Sequence, residues 1–162
     1  MSKHLCGAAT DLALRCMENF AQNAPERTKT ILIALCCHHR CDWKNYVGKD
    51  FLRSHSFKAE EFSLLCGLTS WATCGTGRPR ESSSNKKTKL STTQEDNPHT
   101  DRYERLELPR EKREEIGRRA KRILDQGRCK FIKDRLLMQR VKMCYYVDLN
   151  YTLENVVLIA EK

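Results

Sequence analysis

Ile31-Leu32-Ile33-Ala34-Leu35-Cys36-Cys37 is a run of seven residues without a charged or strongly polar side chain. Seven residues suit a strand better than a helix. Unbroken rather than alternating apolarity is expected where both faces of a strand are covered, as in a parallel sheet. The residues before it supply a partner. Ser2-Lys3-His4-Leu5-Cys6-Gly7 reads as the last stub of a strand ending in a glycine turn. Thr10 or Asp11 is placed to cap a helix in which Leu12, Cys16 and Phe20 recur every four residues, with Leu14 and Met17 widening the apolar face. Pro25 ends that helix at the latest. Strand, helix, strand in this order is a βαβ unit, which closes right-handed in nearly all cases. The predicted class is therefore α/β.

Downstream, a polar loop over residues 38–48 leads to two short predicted helices, near 49–55 and 58–65, and a compact uncharged segment at 68–75. From Thr76 to about Arg105 the chain is Ser, Thr, Lys, Asn, Asp and Pro, with almost nothing to bury. Residues 76–108 are expected to be a disordered insertion within one domain made of residues 1–75 and 109–162. Pro109 suits the first turn of a helix, with Glu111, Glu114 and Glu115 near its positive end. Ile116, Ala120, Ile123, Leu124 and Gly127 form the stripe it would bury, and the helix is expected to continue, kinked, toward Leu137. Residues 140–147 and 155–160 read as an antiparallel pair of strands that extends the sheet beyond the strand at 31–37.

With 30 Lys and Arg against 21 Asp and Glu, the net charge is +9, and a basic protein of this size is expected to meet polyanions. Between Arg110 and Lys142 thirteen basic residues face five acidic ones. On the long helix Arg118, Arg119, Lys121 and Arg122 flank the apolar stripe and are the candidates for neutralising phosphates. A solvated helix face is the plain alternative for the same charges. Lys86, Lys87 and Lys89 could add weak attraction, and Trp43, Tyr46 and Trp71 are candidates for stacking on bases or for anchoring loops.

Nine cysteines, with Cys36 and Cys37 adjacent and no signal peptide, argue against a disulfide scaffold and for a reducing intracellular compartment, nucleus or cytoplasm unresolved. No apolar run is long enough to span a membrane, so no membrane association is expected. Cys36, Cys37, His38, His39 and Cys41 have the elements of a zinc site. Ligands this close in sequence, half on alternate faces of a strand, converge poorly, and zinc is not expected here.

Three segments carry a resemblance. They are Lys3-His4-Leu5-Cys6-Gly7 with Ala9-Thr10-Asp11-Leu12, then Ala34-Leu35-Cys36-Cys37-His38-His39-Arg40-Cys41-Asp42-Trp43 running into Tyr46-Val47-Gly48-Lys49, and Thr69-Ser70-Trp71-Ala72-Thr73-Cys74-Gly75. Asp125-Gln126-Gly127-Arg128 and Leu153-Glu154-Asn155-Val156-Val157-Leu158 add to it. Together they resemble the eukaryotic tRNA 2′-O-methyltransferases that modify nucleotide four of the acceptor stem. The resemblance covers nearly the whole chain outside the insertion. It implies a Rossmann-like class I methyltransferase fold, S-adenosylmethionine as methyl donor and the tRNA acceptor stem as partner. The family's zinc-finger motifs belong to a different, N-terminal region.

In such sheets ligands sit beyond the C-terminal ends of the strands. That places Lys3-His4 and Cys36-Cys37-His38-His39 at one edge, with Leu5, Cys6 and Gly7 as a partial cofactor site. A ribose hydroxyl is a poor acid, so its methylation is helped by a nearby cation or base, for which Lys3, His4, His38 and His39 are the candidates. The Gly-rich turn and acidic residue of a nucleotide-type site are not found in the sequence. Met1 would fall within the fourth strand of the family's sheet. The expectation is a truncated fold, the C-terminal half of the sheet, with an exposed edge prone to association and little cofactor affinity in the chain alone. A non-catalytic RNA-binding remnant is the alternative reading.

Overall fold

The computed structural model describes residues 5–24, 29–73 and 107–162. Helix α1 (Ala8–Asn23) leads to strand β1 (Thr30–Leu35), a 3-10 turn (His38–Arg40), helices α2 (Lys49–Ser54) and α3 (Ala59–Thr69), and a second 3-10 turn (Ser70–Ala72). Helix α4 (Arg110–Arg135) follows, then strands β2 (Arg140–Tyr145) and β3 (Val156–Glu161). The elements read from periodicity are thus present. Helix α4 runs unbroken to Arg135. The predicted insertion lies almost wholly outside the described residues, as do Lys3, His4 and Pro25.

The sheet bears out the terminal antiparallel pair beside β1, but shows no parallel partner for β1 among the described residues. Its order is β1-β3-β2, and both pairings are antiparallel, with Leu35 opposite Val156 and Tyr145 opposite the same residue. The last strand, not a parallel neighbour, lies against β1. Among the described residues Leu5–Gly7 form a turn rather than a strand. It meets the residue just after β1 through a hydrogen bond from the Gly7 N–H to the Cys36 carbonyl at 3.5 Å. Coverage of β1 is also uneven. Ile31, Ile33 and Leu35 are buried while Leu32 and Ala34 are only partly so.

Helix α4 organises the interior because it serves two cores. Its C-terminal half contributes Ile132, followed by Leu136 and Met138, to a cluster with Leu14 of α1 and with Ile31, Ile33, Leu35, Leu158 and Ala160 of the sheet. Its N-terminal half contributes Ala120 and Leu124 to a second cluster with Tyr46, Leu52, Phe62 and Leu65. Each fully buried aliphatic side chain favours the fold by roughly 1.5–3 kcal/mol relative to exposure. Tyr46 donates to the Leu124 carbonyl at 2.8 Å, which leaves no orphan hydroxyl in the second cluster. Close approach at this junction requires glycine at two positions: a Cβ on Gly48 would come within 2.6 Å of the Gly127 Cα.

Candidate functional site

The segments singled out in the sequence are joined by a buried polar network. Asp11, His38, Asp125 and Arg128 each have 0% exposure. Asp11 is in the first turn of α1, and Asp125 and Arg128 lie one turn apart on α4. His38 opens the 3-10 turn just after β1. The Arg128 guanidinium donates through Nε to Asp11 Oδ1 at 3.1 Å and through Nη2 to Asp11 Oδ2 at 2.8 Å, a bidentate pair. Its Nη2 also reaches the Gly7 carbonyl at 3.2 Å, and its Nη1 donates to Asp125 Oδ1 at 3.3 Å. The same Asp125 oxygen lies 2.6 Å from His38 Nε2. One arginine therefore holds the Gly7 turn, the start of α1 and, through Asp125, the His38 turn.

Electrostatics follow from this geometry. Burial pushes the Asp125 carboxyl up, but His38, Arg122 and Arg128 outweigh it, so the group is held below the ordinary carboxylate range. Burial likewise opposes the charge on Arg128, and Asp11 more than restores it. Buried ions of this kind are tolerated only when each is paired with an opposite charge.

Of the predicted base candidates, His38 is sealed in the network, while His39 next to it is exposed. His38 Nδ1 is buried without a hydrogen-bond partner among the described residues. Leu5, Cys6 and Gly7 do sit beside the Cys36–His38 turn. Gly7 has φ +54°, and a Cβ there would meet the Arg40 carbonyl carbon at 2.6 Å, so the two turns touch backbone to backbone.

The cysteines regroup in a way the sequence did not indicate. Cys6 Sγ lies 3.4 Å from Cys36 Sγ, and Cys37 completes a cluster whose sulfurs all lie within 4.8 Å of one another. Cys41, expected with Cys36 and Cys37, is instead engaged by Arg128 Nη2 at 3.1 Å and by Cys66. Its thiol is held below the usual value, first by the Cys66 hydrogen bond, while Cys66 is pushed up by the same bond and by burial.

The basic candidates on α4 divide. Arg119 has 75% side-chain exposure and pairs with Glu115, and Arg118 is half-exposed beside Glu114. Lys121, expected on the solvent face, is buried and lies 2.8 Å from Glu154, whose carboxylate also accepts the Cys37 N–H at 3.3 Å. It borders the apolar stripe on the side turned toward the 153–155 segment, so its charge is used inside the fold. Arg122 is partly buried beside Asp125 at 3.0 Å. Tyr46 is core rather than a stacking surface, and Trp43 packs edge-on against Phe62 with Lys49 and Arg53 over its ring.

Sequence reasoning missed the exposed aromatics next to this helix. A cleft of about 220 Å³ is bounded by Arg118, Arg119 and Arg122 on one side and by Tyr145, Leu149 and Leu153 on the other. Tyr145, Tyr146 and Tyr151 are 72%, 54% and 83% exposed. Their clustering between two strands was a readable signal. A second cleft, about 470 Å³ between α1, α2 and α4, is lined by mixed charges and, apart from Tyr46, by none of the predicted site residues. No helix among the described residues is long and apolar enough to cross a membrane.

Residues 1–161 match the family model described as Methyltransferase TRM13. The chain is 34% identical to a human protein named tRNA:m(4)X modification enzyme TRM13 homolog, over 99% of the chain and 43% of the relative. The mouse protein of the same name is 32% identical over 99% of the chain and 43% of its own length. The Saccharomyces cerevisiae tRNA:m(4)X modification enzyme TRM13 is 31% identical over 100% of the chain and 36% of its own length. The chain thus spans less than half the length of these relatives. No solved structure matches it.

Proposed function

The chain belongs to the TRM13 methyltransferase family, and from that membership we propose that it forms part of an enzyme methylating the ribose 2′-hydroxyl of nucleotide 4 in the tRNA acceptor stem. The observation that carries this reading is the Asp11–Arg128–Asp125–His38 network, which draws the Leu5–Gly7 turn and the 36–40 turn together. A Rossmann-like fold belongs to the same proposal, supported by β1, the Gly7 turn and the long α4.

The residues present fit one side of a site for S-adenosylmethionine. Gly7 is buried against the Arg40 backbone and His38 is sealed, so what the two turns offer a cofactor is the half-buried Leu5, Cys6 and Cys37. When bound, the cofactor supplies an electrophilic methyl group on a sulfonium. This chain's residues would do the rest. The 36–40 turn, fixed by the buried His38, carries His39 into solvent, where its imidazole would accept the proton that the 2′-hydroxyl loses as the new C–O bond forms and the methyl–sulfur bond breaks. Lys3 and His4, outside the described residues, are the other candidates for that proton or for stabilising the developing oxyanion. Arg118 and Arg119 would hold backbone phosphates, and Tyr145 would offer a ring face to an unpaired base. Lys121 has no part in this contact, because it is already paired in the interior.

Titration of the protein with S-adenosylmethionine and with tRNA tests the proposal. Saturable cofactor binding, with a methyl group appearing on the ribose of nucleotide 4, is the expected result. Salt-sensitive tRNA binding without any cofactor binding would replace this reading with that of a non-catalytic RNA-binding protein.

A further inference from the structure

We propose that Cys6, Cys36 and Cys37 bind a zinc ion through three thiolates. The three sulfurs lie within 4.8 Å of one another, and the Cys6 and Cys36 sulfurs are 3.4 Å apart. Tetrahedral zinc with bonds near 2.3 Å sets its sulfur ligands about 3.8 Å apart, so the cluster reaches that geometry with small rotations.

Two adjacent cysteines on a strand point to opposite faces and cannot share a metal. Here they are not both in strand conformation. β1 ends at Leu35, and Cys37 adopts the left-handed conformation with φ 48° and ψ 43°. A non-glycine residue pays roughly 1–2 kcal/mol for that geometry. The reversal brings the Cys37 sulfur to the side already occupied by Cys36. Cys6 arrives from the other turn, delivered by Gly7 at φ +54° and by the Thr10 Oγ1 hydrogen bond to the Leu5 carbonyl at 2.5 Å. The Cys37 backbone is itself held, because its N–H donates to Glu154, which Lys121 pairs. All three thiols are partly exposed, which gives an ion an entry path.

The alternative metal set is ruled out by placement. Cys41 is committed to Arg128 and Cys66 on the buried side, away from the cluster. Three thiolates match a soft, thiolate-preferring ion rather than magnesium or calcium, which require oxygen ligands. On binding, each thiol gives up its proton to solvent and forms one sulfur–metal bond, with no change of oxidation state. The ion joins residues 6 and 36–37, so it would clamp the same two turns that Arg128 holds from beneath. This site stands independently of the methyl-transfer reading.

The test is metal analysis of the reduced chain together with cobalt substitution. One zinc per chain is expected after exposure to zinc and removal of the excess. It should be lost in Cys6→Ser, Cys36→Ser and Cys37→Ser, and kept in Cys16→Ser, whose thiol is exposed on α1. Cobalt(II) added to the metal-free chain should give an intense thiolate charge-transfer band, absent from Cys6→Ser and Cys37→Ser, and this reads the site even if Cys36→Ser fails to fold. No retained zinc and no cobalt band would overturn the proposal. So would zinc lost only on substitution of Cys41 or Cys66.

Discussion

Arg128 is the residue on which most of the buried charge depends. Its fork satisfies Asp11 bidentately and reaches Asp125 at 0% exposure. Removing one partner of such a pair leaves uncompensated buried charge, which costs about 3–5 kcal/mol. Arg128→Met is therefore expected to shift the urea midpoint strongly downward, and Arg128→Lys to recover little, because an ammonium lacks the planar fork. Asp125 adds a pH signature. Its folded-state value lies below the ordinary 3.8, so the stability it contributes is fully present above 3.8 and is lost as pH falls through the depressed value. Asp125→Asn should flatten that acid limb in a stability–pH profile, and an unchanged limb would remove Asp125 from the network's account. In the sequence, Asp11, Asp125 and Arg128 could be picked out only as parts of resembling motifs. Charged residues 117 positions apart give no local sign that they are partners, and nothing in His38-His39 tells which imidazole faces inward.

At the scale of elements, apolar spacing placed α1 and α4 and an unbroken apolar run placed β1, while α2, α3 and the last two strands were read as short local stretches. That the terminal hairpin lies beside β1 was legible, but which of its two strands pairs with β1 was not. An unbroken apolar run shows that a strand is buried, and pairing with β3, more than 120 residues away, is set by the return of the chain and not by local pattern. Helix α4 carries two testable features. It ends at Arg135 with Leu136 as its cap, and Leu137, with φ 53° and 72% exposure, takes the left-handed position after the cap where glycine is preferred. Leu137→Gly should raise stability by about 1 kcal/mol in denaturant unfolding. On its outer face Arg118 and Arg119 have only surface ion pairs to give up, so they can exchange Glu114 and Glu115 for phosphates. Replacing both with alanine should weaken tRNA binding and reduce the slope of log affinity against log salt by roughly 0.7–0.9 per arginine. An unchanged slope would move the RNA contact elsewhere.

For the whole molecule, α4 ties two apolar cores together and sends Asp125 and Arg128 into the space between the Gly7 turn and the 36–40 turn. The polar network and the cysteine cluster are separate devices acting on the same pair of turns, one buried and one open to solvent. That juxtaposition underlies the proposed methyl-transfer site, and it is directly accessible through the 3.4 Å approach of the Cys6 and Cys36 sulfurs. The measurement is brief thiol oxidation of the metal-stripped protein at low concentration, followed by mass-spectrometric mapping of the first disulfide formed. The geometry predicts an intramolecular link from Cys6 to Cys36 or Cys37, with both turns still in place. Cys6 remaining free, or joining Cys66, Cys129 or Cys144 first, would contradict it.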